Sequence, residues 1–182
     1  MEPSPVSAPL RQIPNALTLI RFAAIPLFVW LLLDERGGPS WPAGIVFALA
    51  AITDQLDGYL ARRWHVESQF GKVADPLADR LMIDTAVVML VAFDRLPWVA
   101  LIILLRDLLL IGGYKLVVPR GYDFEVSRLG KIATWGLYAS IGLVLVTEKG
   151  TWWPLACFWI SLALAVIAAG QYVLKARRTV RL

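Results

Sequence analysis

Six long apolar runs, separated by short polar stretches, constrain this chain more than anything else in it. They fall at about 16–33, 42–60, 78–95, 97–118, 129–147 and 151–174. Each is close to the ~20 residues a helix needs to cross a bilayer. None shows the strict alternation of a half-buried strand. A backbone in lipid must also satisfy its own hydrogen bonds, so the runs predict helices and not a barrel. Composition agrees: 58% of the 182 residues are hydrophobic and 18% charged, whereas a soluble domain runs nearer ~45–50% and ~25%. The first run carries Arg21 and is not followed by a small-residue cleavage site, so it is expected to stay as a helix rather than leave as a signal peptide. Residues 1–9, with Pro3, Pro5 and Pro9, are expected to be a disordered tail ahead of one domain over 10–182. The fold class expected is an all-α integral membrane protein of six transmembrane helices.

The basic residues give a direction to these helices. Arg11, Arg62, Arg63, Lys72, Lys115, Arg120, Arg128, Lys131 and the cluster from Lys175 to Arg181 fall on one side. Arg36, Arg95 and Lys149 fall on the other. Lys and Arg concentrate on the cytoplasmic side of membrane proteins, so both termini are expected in the cytoplasm. The net charge of +4 is then mostly a matter of topology, with anionic lipid as a second partner. No continuous basic stripe forms, so nucleic acid is not an expected partner. One cysteine, Cys157, excludes an internal disulfide, and one histidine, His65, argues against a His-based zinc site. The tryptophans near span ends, Trp41, Trp98, Trp152 and Trp153, fit an interfacial belt. The longer connections, about 61–77 and 116–128, lie on the basic side, which places the functional surface there.

Ionisable residues inside a span are expensive and therefore point to function. Here they gather at one depth. Asp54 and Asp57 sit near the inner end of the second run, and Asp75 and Asp79 at the inner start of the third. Arg21, Lys115 and Lys131 lie at a similar level, with Arg106 and Asp107 deeper. Asp54 and Asp57 have i,i+3 spacing, Asp75 and Asp79 i,i+4, so each pair shares a helix face. Four converging carboxylates would repel one another and partly protonate unless cations were present. An all-oxygen set suits Mg²⁺ or Mn²⁺, and four carboxylates are enough for two ions. Gly58, Ala61 and Gly71 would let a large ligand approach the backbone, and Arg62 offers a planar fork for phosphate.

Residues 54–79 read DQLDGYLARRWHVESQFGKVADPLAD. The fixed positions are Asp54, Asp57, Gly58, Ala61, Arg62, Gly71, Asp75 and Asp79, and all of them match the signature of the CDP-alcohol phosphotransferase family, which this segment resembles. The resemblance extends over the whole chain, since six spans with the motif linking the second and third is also the family's plan. It implies a transferase acting on a CDP-linked lipid, CDP-diacylglycerol, with its active site facing the cytoplasm. It implies that Asp54, Asp57 and Asp75 hold a pair of divalent cations and that Asp79, also beside the metals, is the base for the acceptor hydroxyl. Asp54, Gly58, Ala61, Arg62 and Gly71 would hold the cytidine nucleotide. A homodimer is implied on the same ground.

For the acceptor, residues 13–26, IPNALTLIRFAAIP, resemble the start of the bacterial phosphatidylglycerophosphate synthases of that family, which take glycerol 3-phosphate in the cytoplasmic membrane. Gly130-Lys131 followed by Thr134 fits the same group. Arg106-Asp107 stands where those synthases usually have Arg-Glu, a variant that also resembles the family's cardiolipin synthases, which take phosphatidylglycerol. Arg106, Arg128 and Lys131 are the candidate acceptor-binding residues, because a dianionic acceptor needs cations at the cytoplasmic mouth.

Simpler readings stand beside each of these. Asp54 and Asp57 are compatible with a solvated helix end, and Asp75 before Pro76 with an N-cap and proline at the first helical position. Arg80 and Asp84, at i,i+4, are compatible with a structural pair. Adjacent Arg106 and Asp107 are expected to need separate partners. A rival from another class is a small transporter coupled to protons or cations, although no internal repeat of the kind transporters carry is visible.

Overall fold

The computed structural model describes residues 13–64, 69–108 and 128–180. Among them every regular element is helical. α1 is Ile13–Asp34, α2 Trp41–Trp64 and α3 Gln69–Ala92. A 3-10 turn, Trp98–Leu101, leads into α4, described over 102–108. α5 is Arg128–Val146 and α6 Trp152–Val180. The expected tail over 1–9, Lys115 and the connection after it to residue 127 lie outside the described residues.

The helices run up and down, because short connections meet at one end. α1 lies against α2 and α3, α2 reaches α5, and α5 pairs with α6. α1 and α3 both stop in the same way. Gly37 N donates to Leu32 O at 3.2 Å and Arg36 N to Leu33 O at 3.1 Å, with Arg36 at φ 50°. At the end of α3, Arg95 N donates to Leu90 O at 2.8 Å and Asp94 N to Val91 O at 3.0 Å, with Asp94 at φ 54°. Each is a Schellman cap, which satisfies carbonyls that a helix end leaves open. The caps touch: Gly37 has φ 77°, and a Cβ there would stand 2.3 Å from the Phe93 ring. Ser40 begins α2 as its N-cap, its Oγ accepting from Ala43 N at 3.3 Å. Its own N–H donates to Leu145 O at 2.8 Å, near the end of α5.

Arg95 completes this end. It is 5% exposed. Its guanidinium donates to Gly38 O at 2.8 Å and Val144 O at 2.5 Å, to Gly37 O at 3.4 Å, and to Thr147 O. One side chain thus joins the α1–α2 connection, the end of α3 and the last turn of α5, where a cation is also favoured by the helix dipole. Sequence alone marks Arg95 only as one of a few cations on the outer side.

The core runs from this end down the bundle. Phe28, Phe47 and Tyr138 stack as a tilted series, with ring centroids 5.9 and 5.5 Å apart. Met82, Leu90, Ile103, Leu137, Ile141 and Phe158 are buried around it. At α5–α6 a Cβ on Gly136 would lie 2.4 Å from Ser161 Oγ, so these helices approach through small residues. Large apolar side chains also cover the outside: Leu19, Trp30, Leu49, Leu105, Ile132 and Ile160 are all more than half exposed. A surface that apolar suits lipid rather than water.

The six expected spans are only partly reproduced. Among the described residues two helices are long and apolar enough to cross a membrane, Arg128–Val146 and Trp152–Gln171, and Trp41–Thr53 is a shorter apolar segment. α2 and α3 are full-length helices, but nearly half of each is motif segment, whose charged residues dilute the apolar stretch. The connection expected over 61–77 is also corrected. α2 continues to Trp64 and α3 starts at Gln69, so most of the motif is helical. Asp75 therefore lies inside α3 and is not its N-cap, and Pro76 is not at its first position.

Candidate active site

The up-and-down arrangement fixes which ends come together. The first turn of α2 is bound to the last turn of α5 through Ser40 and Leu145. The far end of α2, the start of α3 and the start of α5 therefore share the opposite end of the bundle. Asp54, Asp57, Gly58, Ala61 and Arg62 occupy the last three turns of α2, and Gly71, Asp75 and Asp79 the first three turns of α3. α2 and α3 touch along their course. The backbone thus carries both halves of the motif to one end, on helices, with the i,i+3 and i,i+4 spacings intact. The side chains of residues 54–79 lie outside the described part of the structure. Among the described residues no group of three or more His, Cys, Asp or Glu could hold a metal.

The first side chains described beyond the motif form an ionic cluster. Asp107, on α4, is 2% exposed. Its Oδ1 accepts from Arg80 Nη1, across the gap from α3, and from Arg106 Nη1 at 2.6 Å. Two expectations are corrected here. Arg80 pairs with Asp107 on the neighbouring helix and not with Asp84 one turn along its own. The reason is burial: Asp107 is almost fully enclosed and, as a carboxylate, needs a cation more than the partly exposed Asp84 does. Arg106 and Asp107, although adjacent, contact each other directly, and only Asp107 has a second partner, in Arg80, among the described residues. The long arginine side chain curls back to a neighbour that Cβ directions alone would separate. Among the described residues, Asp84 Oδ1 and Arg106 Nε are buried without a hydrogen-bond partner.

Of the other candidates, Arg128 and Lys131 are exposed at the start of α5, at the same end as the motif. Gly130 is buried, and its carbonyl accepts from Thr134 Oγ1 at 3.0 Å, so that carbonyl is engaged within the helix. Arg21 is buried in α1. Cys157, expected to be a packing residue, is exposed on α6. Trp41, Trp98 and Trp152 are 66–76% exposed and stand at the starts of α2, the 3-10 turn and α6, all at the end away from the motif. That is the arrangement of an interfacial belt.

Residues 11–168 match the CDP-alcohol phosphatidyltransferase family. Over 93% of its length the chain is 36% identical to a CMP-forming cardiolipin synthase of Streptomyces coelicolor, covering 84% of that protein. It is 32% identical to a CDP-diacylglycerol–glycerol-3-phosphate 3-phosphatidyltransferase of Bacillus subtilis, over 90% of this chain and 94% of that one. A protein of the same description from Cereibacter sphaeroides is also 32% identical, over 91% of this chain and 95% of its own length.

Proposed function

The chain belongs to the CDP-alcohol phosphatidyltransferase family, and we propose that it transfers the phosphatidyl group of CDP-diacylglycerol to glycerol 3-phosphate, releasing phosphatidylglycerophosphate and CMP. The observation that carries this reading is the complete motif on α2 and α3, both halves at one end of the bundle. The relatives from Bacillus subtilis and Cereibacter sphaeroides bear that reaction in their names and align over at least 90% of the chain. A second reading, with phosphatidylglycerol as acceptor and cardiolipin as product, is favoured by the Streptomyces coelicolor relative. Both share a CDP-lipid donor and a glycerol-type acceptor.

Asp54, Asp57, Asp75 and Asp79 are hard oxygen donors at helical spacing on consecutive helices, a set that fits two Mg²⁺ or Mn²⁺ ions. Bound there, such ions would neutralise the pyrophosphate charge and stabilise CMP as it departs. The chain's own residues do the rest. Asp79 accepts the proton of the acceptor hydroxyl, whose oxygen bonds to the β-phosphorus as the bond to CMP breaks. Gly58, Ala61 and Gly71 leave room for the cytidine nucleotide beside Asp54, and Arg62 forks onto phosphate. Arg106, Arg128 and Lys131 draw in the acceptor's phosphate. The protein would work as a six-span homodimer in a bacterial cytoplasmic membrane, both termini and the site on the cytoplasmic face.

The test is purified protein with CDP-diacylglycerol and a panel of acceptors, products identified by mass. CMP and phosphatidylglycerophosphate are expected with glycerol 3-phosphate, and activity should vanish in excess chelator and return with Mg²⁺ or Mn²⁺. Cardiolipin formed from phosphatidylglycerol, with glycerol 3-phosphate ignored, would establish the second reading. No CMP with any acceptor would sink both.

A further inference from the structure

The ion pair between Arg80 and Asp107 is the one described polar contact that joins α3 to α4. We infer that it positions the catalytic face of α3: Asp107 holds Arg80, and Arg80 holds the register of the helix that carries Asp75 and Asp79. The inference rests on the reaction proposed above and assigns two residues that the motif does not contain.

Three observations carry it. Asp107 is buried, its side chain 3% exposed, and an isolated carboxylate at such depth is untenable, so its hold on a cation is strong. Of its two arginines, Arg106 sits on the same helix and links nothing, whereas Arg80 crosses to α3. Arg80 also directly follows Asp79 and stands five residues from Asp75. On a helix each residue turns the chain by roughly 100° and advances it ~1.5 Å, so fixing Arg80 fixes both the rotation and the height of the adjacent carboxylates. A displacement of ~1 Å at reacting groups costs on the order of 10²-fold in rate, so such a tether has kinetic consequences. Asp107 and Arg80 are positioning residues, acting through Asp79, and touch neither substrate.

Arg80→Gln is the discriminating variant, because it cuts the tether and leaves Asp107 paired with Arg106. Its kcat is expected to fall by about tenfold or more, with KM for donor and acceptor within about twofold of the wild type. Arg80→Lys should recover most of that loss. Asp107→Asn should behave like Arg80→Gln, and the double variant should be no slower than the slower single one, as for two ends of one interaction. Asp107→Glu, which keeps the charge, should retain activity and serves if the Asn variant does not fold. Amide hydrogen exchange gives a readout independent of turnover: α3 should exchange faster in Arg80→Gln while α5 and α6 do not change. Unchanged kcat in Arg80→Gln, multiplying losses in the double variant, or unaltered exchange in α3 would each overturn the inference. If the wild type transfers no phosphatidyl group, the proposed reaction falls. The exchange comparison then still decides whether the tether exists.

Discussion

Asp79 and Arg80 are neighbours in sequence with different proposed roles, base and tether, and single substitutions separate the two. Asp79→Asn keeps the size of the side chain and removes its proton acceptor. A drop in kcat on the order of 10²-fold is expected, with nucleotide binding largely kept. Metal affinity measured in the same variant separates the base from a ligand role, and near-normal turnover with the metals bound would remove Asp79 from the chemistry. Lys131 is exposed at the start of α5, at the same end of the bundle as the motif. Lys131→Ala should raise KM for glycerol 3-phosphate and leave the Kd for CDP-diacylglycerol unchanged, the pattern of lost ground-state binding by one substrate. An unchanged KM would reassign Lys131 to topology. The motif residues were legible in the sequence because their spacing is itself the signal. The partner of Arg80 was not, because Asp107 is twenty-seven residues away and only packing decides which carboxylate is buried deeply enough to claim it.

At the scale of elements, the apolar runs located every described helix, yet they missed where α2 ends and α3 begins. Hydropathy reports the lipid-facing length of a helix, and both helices continue past it into the charged motif. The caps at the other end were invisible for a different reason. Arg36 and Asp94 adopt positive φ without being glycine, and Arg95 looks from sequence like any loop cation. Its four carbonyl acceptors become apparent only when three connections are brought together. Arg95→Leu leaves the last turn of α5 and the α1–α2 connection without their donor. With hydrogen bonds to a charged group worth about 1.5–3 kcal/mol each, a loss of about 3 kcal/mol is expected. In detergent this should appear as a Tm lower by about 5–10 °C. Lys149→Ala provides the contrast. Its contact with Asp94 spans 4.0 Å between exposed side chains, and exposed pairs of that kind contribute little. Equal shifts in the two variants would show that Arg95 is not the hub of this end.

For the whole molecule, the two ends of the bundle differ in chemistry, and that difference predicts an orientation that labelling can test. One end has the exposed Trp41, Trp98 and Trp152, tight caps and short connections. The other has the motif, Arg128, Lys131 and the basic end of α6. Tryptophan belts form at the headgroup level of either membrane face, so these side chains mark an interface without saying which. The basic residues at the other end are what predict that the motif end faces the cytoplasm. Six crossings with both termini inside follow if α1 to α4 also span. Cysteine labelling decides this directly, because Cys157 is the chain's only cysteine and can be removed first. In a Cys157→Ala background, Lys149→Cys should react with a membrane-impermeant maleimide in intact cells. Thr179→Cys should react only after the membrane is opened. Glu35→Cys, in the connection between α1 and α2, should label from outside like Lys149→Cys, because Arg95 joins that connection to the end of α5. Labelling of Thr179→Cys from outside would invert the orientation. Glu35→Cys reacting only after opening, with Lys149→Cys reacting from outside, would show that α1 and α2 do not cross as a pair.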